Sequence, residues 1–360
     1  MTTVVHVVGA LSFGGAETSL LGQVKRSREF GVKTLVFSIS GRYGDLEEEY
    51  RSAGAQLFTS PLRRRPLRTI VRFVRLCRTS RVDVVVSHIG LPTAFFLLLG
   101  RIANVRRRVA VLHSEGDCKA TSRLKALQNE FLRNLMILCS SVNIGVSEPA
   151  LKYGDPRWLP WRMKARAVIS NGVDTDRFRP SAQPGDSRQV IYVGRSSPVK
   201  NRQRLAGISR SLVERGWKRI VVVGPVGEDV VTADEALILL GPRTDVPELL
   251  RDSAALVLVS EEEGEGIVIL EALASGIPVV SSPTGGAASI ASRTAGVDLL
   301  SLNESDGIWA DRLIRAAQKH ANGETGLIAQ GVIDNGYAVS AVMGKWYETY
   351  IGPNSSIADS

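Results

Sequence analysis

The chain has 360 residues, 44% of them hydrophobic and 22% charged, with a net charge of +9. That balance excludes a disordered or fibrous chain, and the length suits two domains of middling size better than one core. The charge is unevenly spread: residues 1–180 carry +15 and residues 181–360 carry −6, so the first half suits an anionic partner such as a membrane surface, a phosphorylated lipid or a nucleic acid.

Met1 to Ala10 has neither the basic start nor the cleavage site of a signal peptide. The most apolar later stretch, Ala94 to Gly100, is far below the ~20 residues of a spanning helix. Cys77, Cys118 and Cys139 form no CxxC pair and no zinc spacing, which reads as core or surface thiols in a reducing compartment. The expectation is a cytoplasmic protein that is not integral to a membrane.

Taken in chain order, the pattern alternates strand and helix. Val4 to Val8 is a β-branched run ending at Gly9, followed by a glycine-containing loop and a helix from Glu17 to about Arg28. Strands follow at Lys33 to Ser38 and Gln56 to Thr59, with a helix at Asp45 to Ala53 between them. Leu67 to Arg78 is a basic amphipathic helix, and Val82 to Ser87 a strand. Pro92 to Ala103 is a helix, Arg108 to His113 a strand, and Thr121 to Leu138 a long helix. Asn143 to Val146 is a short strand before a helix capped by Ser147.

Ile169 to Pro184 breaks the rhythm with Asn171-Gly172, two prolines and two acids, and reads as a linker. The alternation then restarts. Strands are expected at Gln189 to Val193, Arg219 to Val223, Ala236 to Leu240, Ala255 to Val259 and Pro278 to Ser281. Helices are expected at Asn201 to Arg215, Val246 to Asp252 and from Ile267, with a last helix at Val339 to Tyr350. Such a pattern calls for parallel sheets covered on both faces. The expected domains are 1–178 and 185–335, then a helix over 336–352 crossing back to the first domain and a flexible tail over 353–360. A cleft is expected at the carboxyl ends of the strands.

Four constellations carry chemistry. In the run from Glu263 to Val280, Glu263 and Glu271 lie eight residues apart across a loop-to-helix junction. Gly264 and Gly266 let backbone approach a ligand, and the helix start offers free N–H groups to a phosphate. One carboxylate suits sugar hydroxyls and the other ribose hydroxyls. Second, Arg195 and Lys200 stand five residues apart after a strand and suit a diphosphate, the arginine as a fork and the lysine as a mobile charge. Third, Gly14-Gly15-Ala16-Glu17 follows the first strand and opens a helix, another arrangement suited to an anion. Fourth, His113 ends a strand, and His88 ends another, where it suits an acceptor site.

These runs resemble the retaining glycosyltransferases of the GT-B fold, family 4, also called glycosyl transferases group 1. The stretch Glu263-Gly264-Glu265-Gly266-Ile267 to Glu271 is similar to the family's E-x7-E signature, and Gly194 to Lys200 to its G-R-x4-K stretch. Gly14 to Glu17 is similar to its G-G-x-E loop, and Asn171-Gly172-Val173-Asp174 with Phe178 to its linker.

The resemblance implies an α/β fold of two Rossmann-like domains with parallel sheets facing across a cleft. The first domain would bind the acceptor and the second a nucleotide-sugar donor, a UDP- or GDP-sugar. Glu263 and His113 would orient the sugar, and Arg195 and Lys200 would neutralise the leaving diphosphate. Gly15 would face the diphosphate, Gly266 and Ile267 would hold sugar and phosphate through backbone, and Glu271 would bind the ribose. Gly241-Pro242-Arg243 lies where the family's base-binding loop comes. The implied activity is transfer to a hydroxyl of a glycan, a lipid-linked glycan or a natural product with retention of configuration, without cofactor or metal. An epimerase or phosphorylase on the same fold, or a non-catalytic nucleotide-sugar-binding subunit, are the alternatives.

Glu265 departs from the family, which places an aromatic or aliphatic residue there; the expectation is a side chain turned to solvent, or one that selects an amino group on a substrate. Asp174-Thr175-Asp176 looks like a D-x-D metal motif but belongs to the linker pattern. Arg63 to Arg78 offers an anionic membrane surface several basic residues at about 1 kcal/mol each. Nucleic acid fits less well, because no aromatics interleave with the arginines.

Overall fold

The computed structural model describes residues 1–12, 14–114, 122–160, 165–181, 188–225, 227, 236–319 and 325–352. Cys118, the start of the expected helix at Thr121, Trp161 to Lys164, the end of the linker at Pro184 and the tail over 353–360 lie outside the described residues.

The chain forms two compact units, one of Met1–Ser170 with Val342–Ser360 and one of Asn171–Ala341. The first is built on β1 (Thr2–Val8), β2 (Val32–Ser38), β3 (Gln56–Thr59), β4 (Val84–Ser87), β5 (Arg107–Leu112), β6 (Val142–Gly145) and β7 (Ala165–Val168). The second is built on β8 (Val190–Val193), β9 (Ile220–Val223), β10 (Leu237–Gly241), β11 (Ala255–Leu258), β12 (Val279–Ser281) and β13 (Val297–Leu299). The sheets run β3-β2-β1-β4-β5-β6-β7 and β10-β9-β8-β11-β12-β13, with parallel pairing throughout.

Each sheet is therefore doubly wound, as the alternation of strand and helix predicts. The inner strands read as continuous apolar runs because helices cover both faces: Val4, Val5, Val85, Val86, Val109 and Ala110 are buried, as are Ile191, Leu256, Val257 and Val280. Strand order reverses between β1 and β4 and again between β8 and β11. At such a point the loops leaving adjacent strands diverge to opposite faces and open a crevice at the carboxyl edge.

The unit boundary differs from the expected end of the first domain at residue 178. Val173 and Phe178 pack in the core of the second unit, and Val173 bridges to Ala338 in parallel fashion. Residues 171–178, placed by sequence in the first domain, therefore belong to the second unit. The terminal helix Val339–Ile351 enters the first unit at Val342. Its Trp346 indole donates to the Ser170 carbonyl at 2.9 Å, and its Tyr347 and Tyr350 hydroxyls donate to the backbone carbonyl and side-chain oxygen of Gln23.

Other differences are local. The helix expected from Asn201 begins at Leu205, because Pro198–Lys200 and Arg202–Arg204 form two 3-10 turns around Asn201, whose φ is +48°. The chain makes that left-handed turn just after Lys200. The sequence reading also missed β7, β13 and the helices Gly285–Ala291, Asp306–Lys319 and Thr325–Asp334. The two strands are three or four residues long and carry a charge each, too short for a period-two signal to stand out.

In the basic helix Pro66–Thr79, the buried residues are Thr69, Phe73, Leu76 and Cys77. Ile70 and Val71 are exposed together with Leu67, Arg68, Arg72 and Arg75. The outer face is thus a mixture of arginine and apolar side chains. Cys77 and Cys139 are buried, which fits core thiols.

Candidate functional site

In the second unit, the crevice position at the strand-order reversal is occupied by the loops that follow β8 and β11. The first carries Arg195 and Lys200, the second Glu263. Lys200 Nζ lies 2.5 Å from Glu263 Oε1, with both side chains largely covered. Ser260 Oγ donates to the same carboxylate oxygen at 2.8 Å, and Ser282 Oγ donates to the Ser260 carbonyl. The Glu261 amide donates to the Val199 carbonyl at 2.7 Å, which ties the two loops together by backbone. Arg195 is exposed at the mouth of its loop. Behind it, Gly224 has φ +132°, and a Cβ there would meet the Gly194 carbonyl oxygen at 2.0 Å.

Gly266 ends the second loop with φ +77° and caps the helix Ile267–Ala274, whose N-terminus carries no side-chain cap. A left-handed residue is needed here to turn the loop into the helix, and glycine alone takes that conformation without strain. The first two N–H groups, of Ile267 and Val268, have no acceptor within the helix, an arrangement suited to an anion, while the Ile269 amide turns back to the Gly266 carbonyl at 2.8 Å. Glu271 lies one turn further along. Burial pushes its carboxyl up to about 7, against a smaller opposing pull from Arg177. The Arg177 guanidinium also donates to the Thr244 carbonyl at 2.8 Å, in the loop following Gly241-Pro242-Arg243.

Glu265 does not turn to solvent. It is 5% exposed, and its Oε2 accepts from the backbone amide of Asn171 at 2.9 Å and from the Asn171 side chain at 2.6 Å. The solvent-facing expectation is therefore corrected. The carboxylate is held inside the second unit because it satisfies Asn171, the first residue of that unit and an otherwise costly pair of buried donors. Gly286 packs on the other side: a Cβ there would meet Glu265 backbone atoms at 2.7 Å. The Gly286 amide points to the Glu263 carbonyl at 3.3 Å. Sequence reasoning missed this second support. Its signal was legible, since Thr284-Gly285-Gly286 follows β12 much as Gly14-Gly15 follows β1.

In the first unit, Gly15 opens the helix Gly15–Arg26 after an extended Gly14, and no side chain caps that end. A Cβ on Gly14 would meet the Glu17 carboxylate at 2.6 Å. His88 follows β4 and His113 follows β5, at the carboxyl edge beside the strand-order reversal. His88 Nδ1 is 2.9 Å from His113 Nε2, and His88 Nε2 is 3.0 Å from His6 Nδ1 on β1. His6 was not singled out from sequence because it lies inside an apolar run. Burial lowers His6 to about 3 and His113 to about 4, and lowers His88 well below the ordinary histidine value, assisted by its two neighbours.

The structure thus brings Lys200, Glu263, Gly266, Ile267 and Glu271 into one region of the second unit, and His88 and His113 into contact in the first. In the linker, the Asp174 carboxylate caps its own turn by accepting from the amides of Asp176 and Arg177, each at 3.1 Å. Among the described residues no cluster of His, Cys, Asp or Glu is arranged to hold a metal.

Replacing Glu265 with Ala leaves the Asn171 donors without this acceptor inside the unit. The expected cost is about 1–3 kcal/mol, read as a lower urea midpoint. A destabilisation within experimental error would show that water replaces the carboxylate and that the contact has no structural weight.

Comparison with known proteins covers nearly the whole chain. Residues 13–177 match the family model described as Glycosyltransferase Family 4, and residues 187–319 match the one described as Glycosyl transferases group 1. EpsF of Bacillus subtilis (strain 168), named as a glycosyltransferase, is 28% identical over 347 residues, covering 87% of each chain. The UDP-Gal:alpha-D-GlcNAc-diphosphoundecaprenol alpha-1,3-galactosyltransferase of Escherichia coli is 24% identical over 79% of each. Among solved structures, Anabaena Alr3699/HepE in complex with UDP and glucose superposes with a TM-score of 0.76 at 19% identity, over 98% of this chain and 100% of that one. The two family models meet at the linker, one on each unit, and with the two doubly wound parallel sheets they identify the chain as a member of the group 1, family 4 glycosyltransferases and as a glycosyltransferase of the GT-B fold.

Proposed function

We propose that this glycosyltransferase takes its sugar from a UDP- or GDP-sugar bound in the second unit and transfers it with retention of configuration. The observation that carries the reading is the Lys200–Glu263 pair at the strand-order reversal, beside a helix N-terminus opened by Gly266. An ammonium, an exposed Arg195 and free helix N–H groups are suited to a diphosphate. Glu263, held by Ser260, is suited to accept hydrogen bonds from sugar hydroxyls, and Glu271 from the ribose. Relatives named for UDP-galactose and GDP-mannose, and a similar fold with UDP bound, support this class of donor.

In the proposed step the bond between the anomeric carbon and the diphosphate oxygen breaks while the acceptor hydroxyl oxygen attacks from the same face. The acceptor proton passes to the departing phosphate oxygen. Lys200 and Arg195 take up the growing negative charge, and Glu263 and His113 hold the sugar. Most of the rate then comes from positioning and electrostatics. No metal or other cofactor is required in this reading. The Gly15 helix start is the further anion-binding element, assigned here to the diphosphate.

The acceptor is proposed to be a hydroxyl of a glycan or lipid-linked glycan bound by the first unit. One relative is named for a diphosphoundecaprenol-linked substrate and another for capsular polysaccharide biosynthesis. No described helix is long and apolar enough to cross a membrane. The helix Pro66–Thr79 instead presents Arg68, Arg72 and Arg75 with Leu67 and Val71 on its exposed face, a combination suited to the surface of an anionic membrane.

Thermal unfolding with UDP, GDP, ADP and TDP tests the donor site. The matching nucleotide at a hundred times its dissociation constant stabilises by about 2.7 kcal/mol, and the shift is expected to disappear in Lys200→Ala. No shift with any nucleotide would count against the reading. Ionised Glu271 accepts from ribose hydroxyls with both oxygens, so nucleotide affinity is expected to rise between about pH 6 and about pH 8 as its carboxyl, raised by burial to about 7, loses its proton. In Glu271→Gln that rise should flatten. The linkage has the opposite sign for the unliganded fold: stability falls as pH rises from the ordinary carboxylate range to about 7, because the unfolded chain releases this proton first. For the membrane face, co-sedimentation with vesicles containing anionic lipid is the measurement. Changing Arg68, Arg72 and Arg75 together to Gln should weaken binding by about 3 kcal/mol, roughly a hundredfold. Unchanged binding would remove this helix from the surface.

A further inference from the structure

Three histidines stand in line on one face of the first sheet. His6 lies opposite Val86, two residues before His88, and Val86 lies opposite Val109, four residues before His113. Even spacings along parallel strands keep side chains on one face, so the three rings step diagonally across β1, β4 and β5 toward the carboxyl edge. The His88 amide donates to the Val7 carbonyl at 2.9 Å, which extends the ladder past β4 and fixes the base of the middle ring. Neighbouring rings are stacked at 5.3 and 5.2 Å, with interplanar angles of 26° and 29°. The first ring is held from behind by the edge of Tyr350, at 5.5 Å.

A neutral imidazole has one N–H and one lone pair. Each N···N contact in this line needs one proton, and burial keeps all three rings neutral near pH 7. The middle ring must therefore donate at one nitrogen and accept at the other. Only two arrangements satisfy both contacts: every ring protonated at Nδ1, or every ring protonated at Nε2. A mixed line would set two N–H groups, or two lone pairs, against each other at about 3 Å. In either arrangement His113 Nε2 is committed to His88. His113 Nδ1 is buried, and no described residue partners it.

We infer that His88, braced by His6, is a positioning residue for His113: the line of rings locks His113 in one tautomer and one plane, and leaves its Nδ1 as the single nitrogen available to a substrate hydroxyl. The inference rests on the reading of His113 as a sugar-contacting residue. It assigns His88 a role behind the reacting groups, distinct from lining an acceptor site. A locked tautomer serves a transferase because a hydrogen bond of the wrong polarity at the sugar would have to be broken or rotated in every turnover.

The test is nitrogen NMR of the full chain labelled with 15N-histidine, with steady-state kinetics on the same proteins. In the wild-type protein His6, His88 and His113 should show one tautomer each, the same for all three. In His88→Phe, the His113 pattern should become that of a tautomer mixture, and kcat should fall about tenfold to a hundredfold, by analogy with the loss of a residue that orients a metal-binding histidine. KM for the donor and the thermal shift with nucleotide should change little. His88→Asn should restore most of the rate, because its side-chain amide occupies the place of Nδ1 and can still meet His113 Nε2. Two tautomers at His113 in the wild-type protein would overturn the inference whether or not any variant folds. So would an unchanged His113 pattern in His88→Phe, or a His88→Asn no better than His88→Phe. The underlying reading is tested separately: full activity in His113→Ala would remove His113 from the sugar while leaving the NMR result on His88 intact.

Discussion

Parallel pairing is the constraint from which the rest of this structure follows. In a sheet of parallel strands all carboxyl ends lie on one edge, and the chain must cross back over a face before each new strand. Where the strand order reverses, between β1 and β4 and between β8 and β11, successive crossovers go to opposite faces. The loops at that point have no helix packed between them. Lys200 and Glu263 meet there in the second unit; in the first, His88 follows β4 at that point and meets His113 at the end of the neighbouring β5. Residues distant in sequence come together because of where their strands lie in the sheet.

Around this frame the second unit uses its polar residues in two ways. Lys200 and Glu263 satisfy each other, with Ser260 on the same carboxylate oxygen. Such a pair leaves neither charge uncompensated. Glu265, two residues on, serves the fold instead, by binding the start of the linker. Glu263 and Glu265 are thus adjacent carboxylates with different tasks, set by whether the partner is a side chain in the crevice or a buried backbone amide. Gly286 admits this arrangement because any larger residue would collide with the Glu265 backbone.

The linker and the segment before the terminal helix lie side by side, joined by the bridge from Val173 to Ala338 and by hydrogen bonds on both sides of it. Both chain crossings are thereby anchored in the second unit. The terminal helix then anchors in the first unit through Trp346, Tyr347 and Tyr350. Tyr350 also borders His6, so the last helix of the chain is part of the support behind the histidine line.

The sequence by itself determined the two-unit parallel architecture, because alternating apolar strands and helices admit few other arrangements. It also carried the Glu263 to Glu271 run, the Arg195 to Lys200 loop and the glycine at 266, because each depends on local spacing or on a backbone conformation that one residue type favours. Short elements such as β7 and β13 escaped it for want of periodicity. The fate of Glu265 was decided by tertiary structure, since its partner Asn171 is 94 positions away and a carboxylate's burial depends on what satisfies it. The exposure of Ile70 and Val71 was likewise settled by which helix face met the sheet. The line of His6, His88 and His113 was invisible in sequence for the same reason: strand order and register, rather than spacing along the chain, bring three separated rings onto one face.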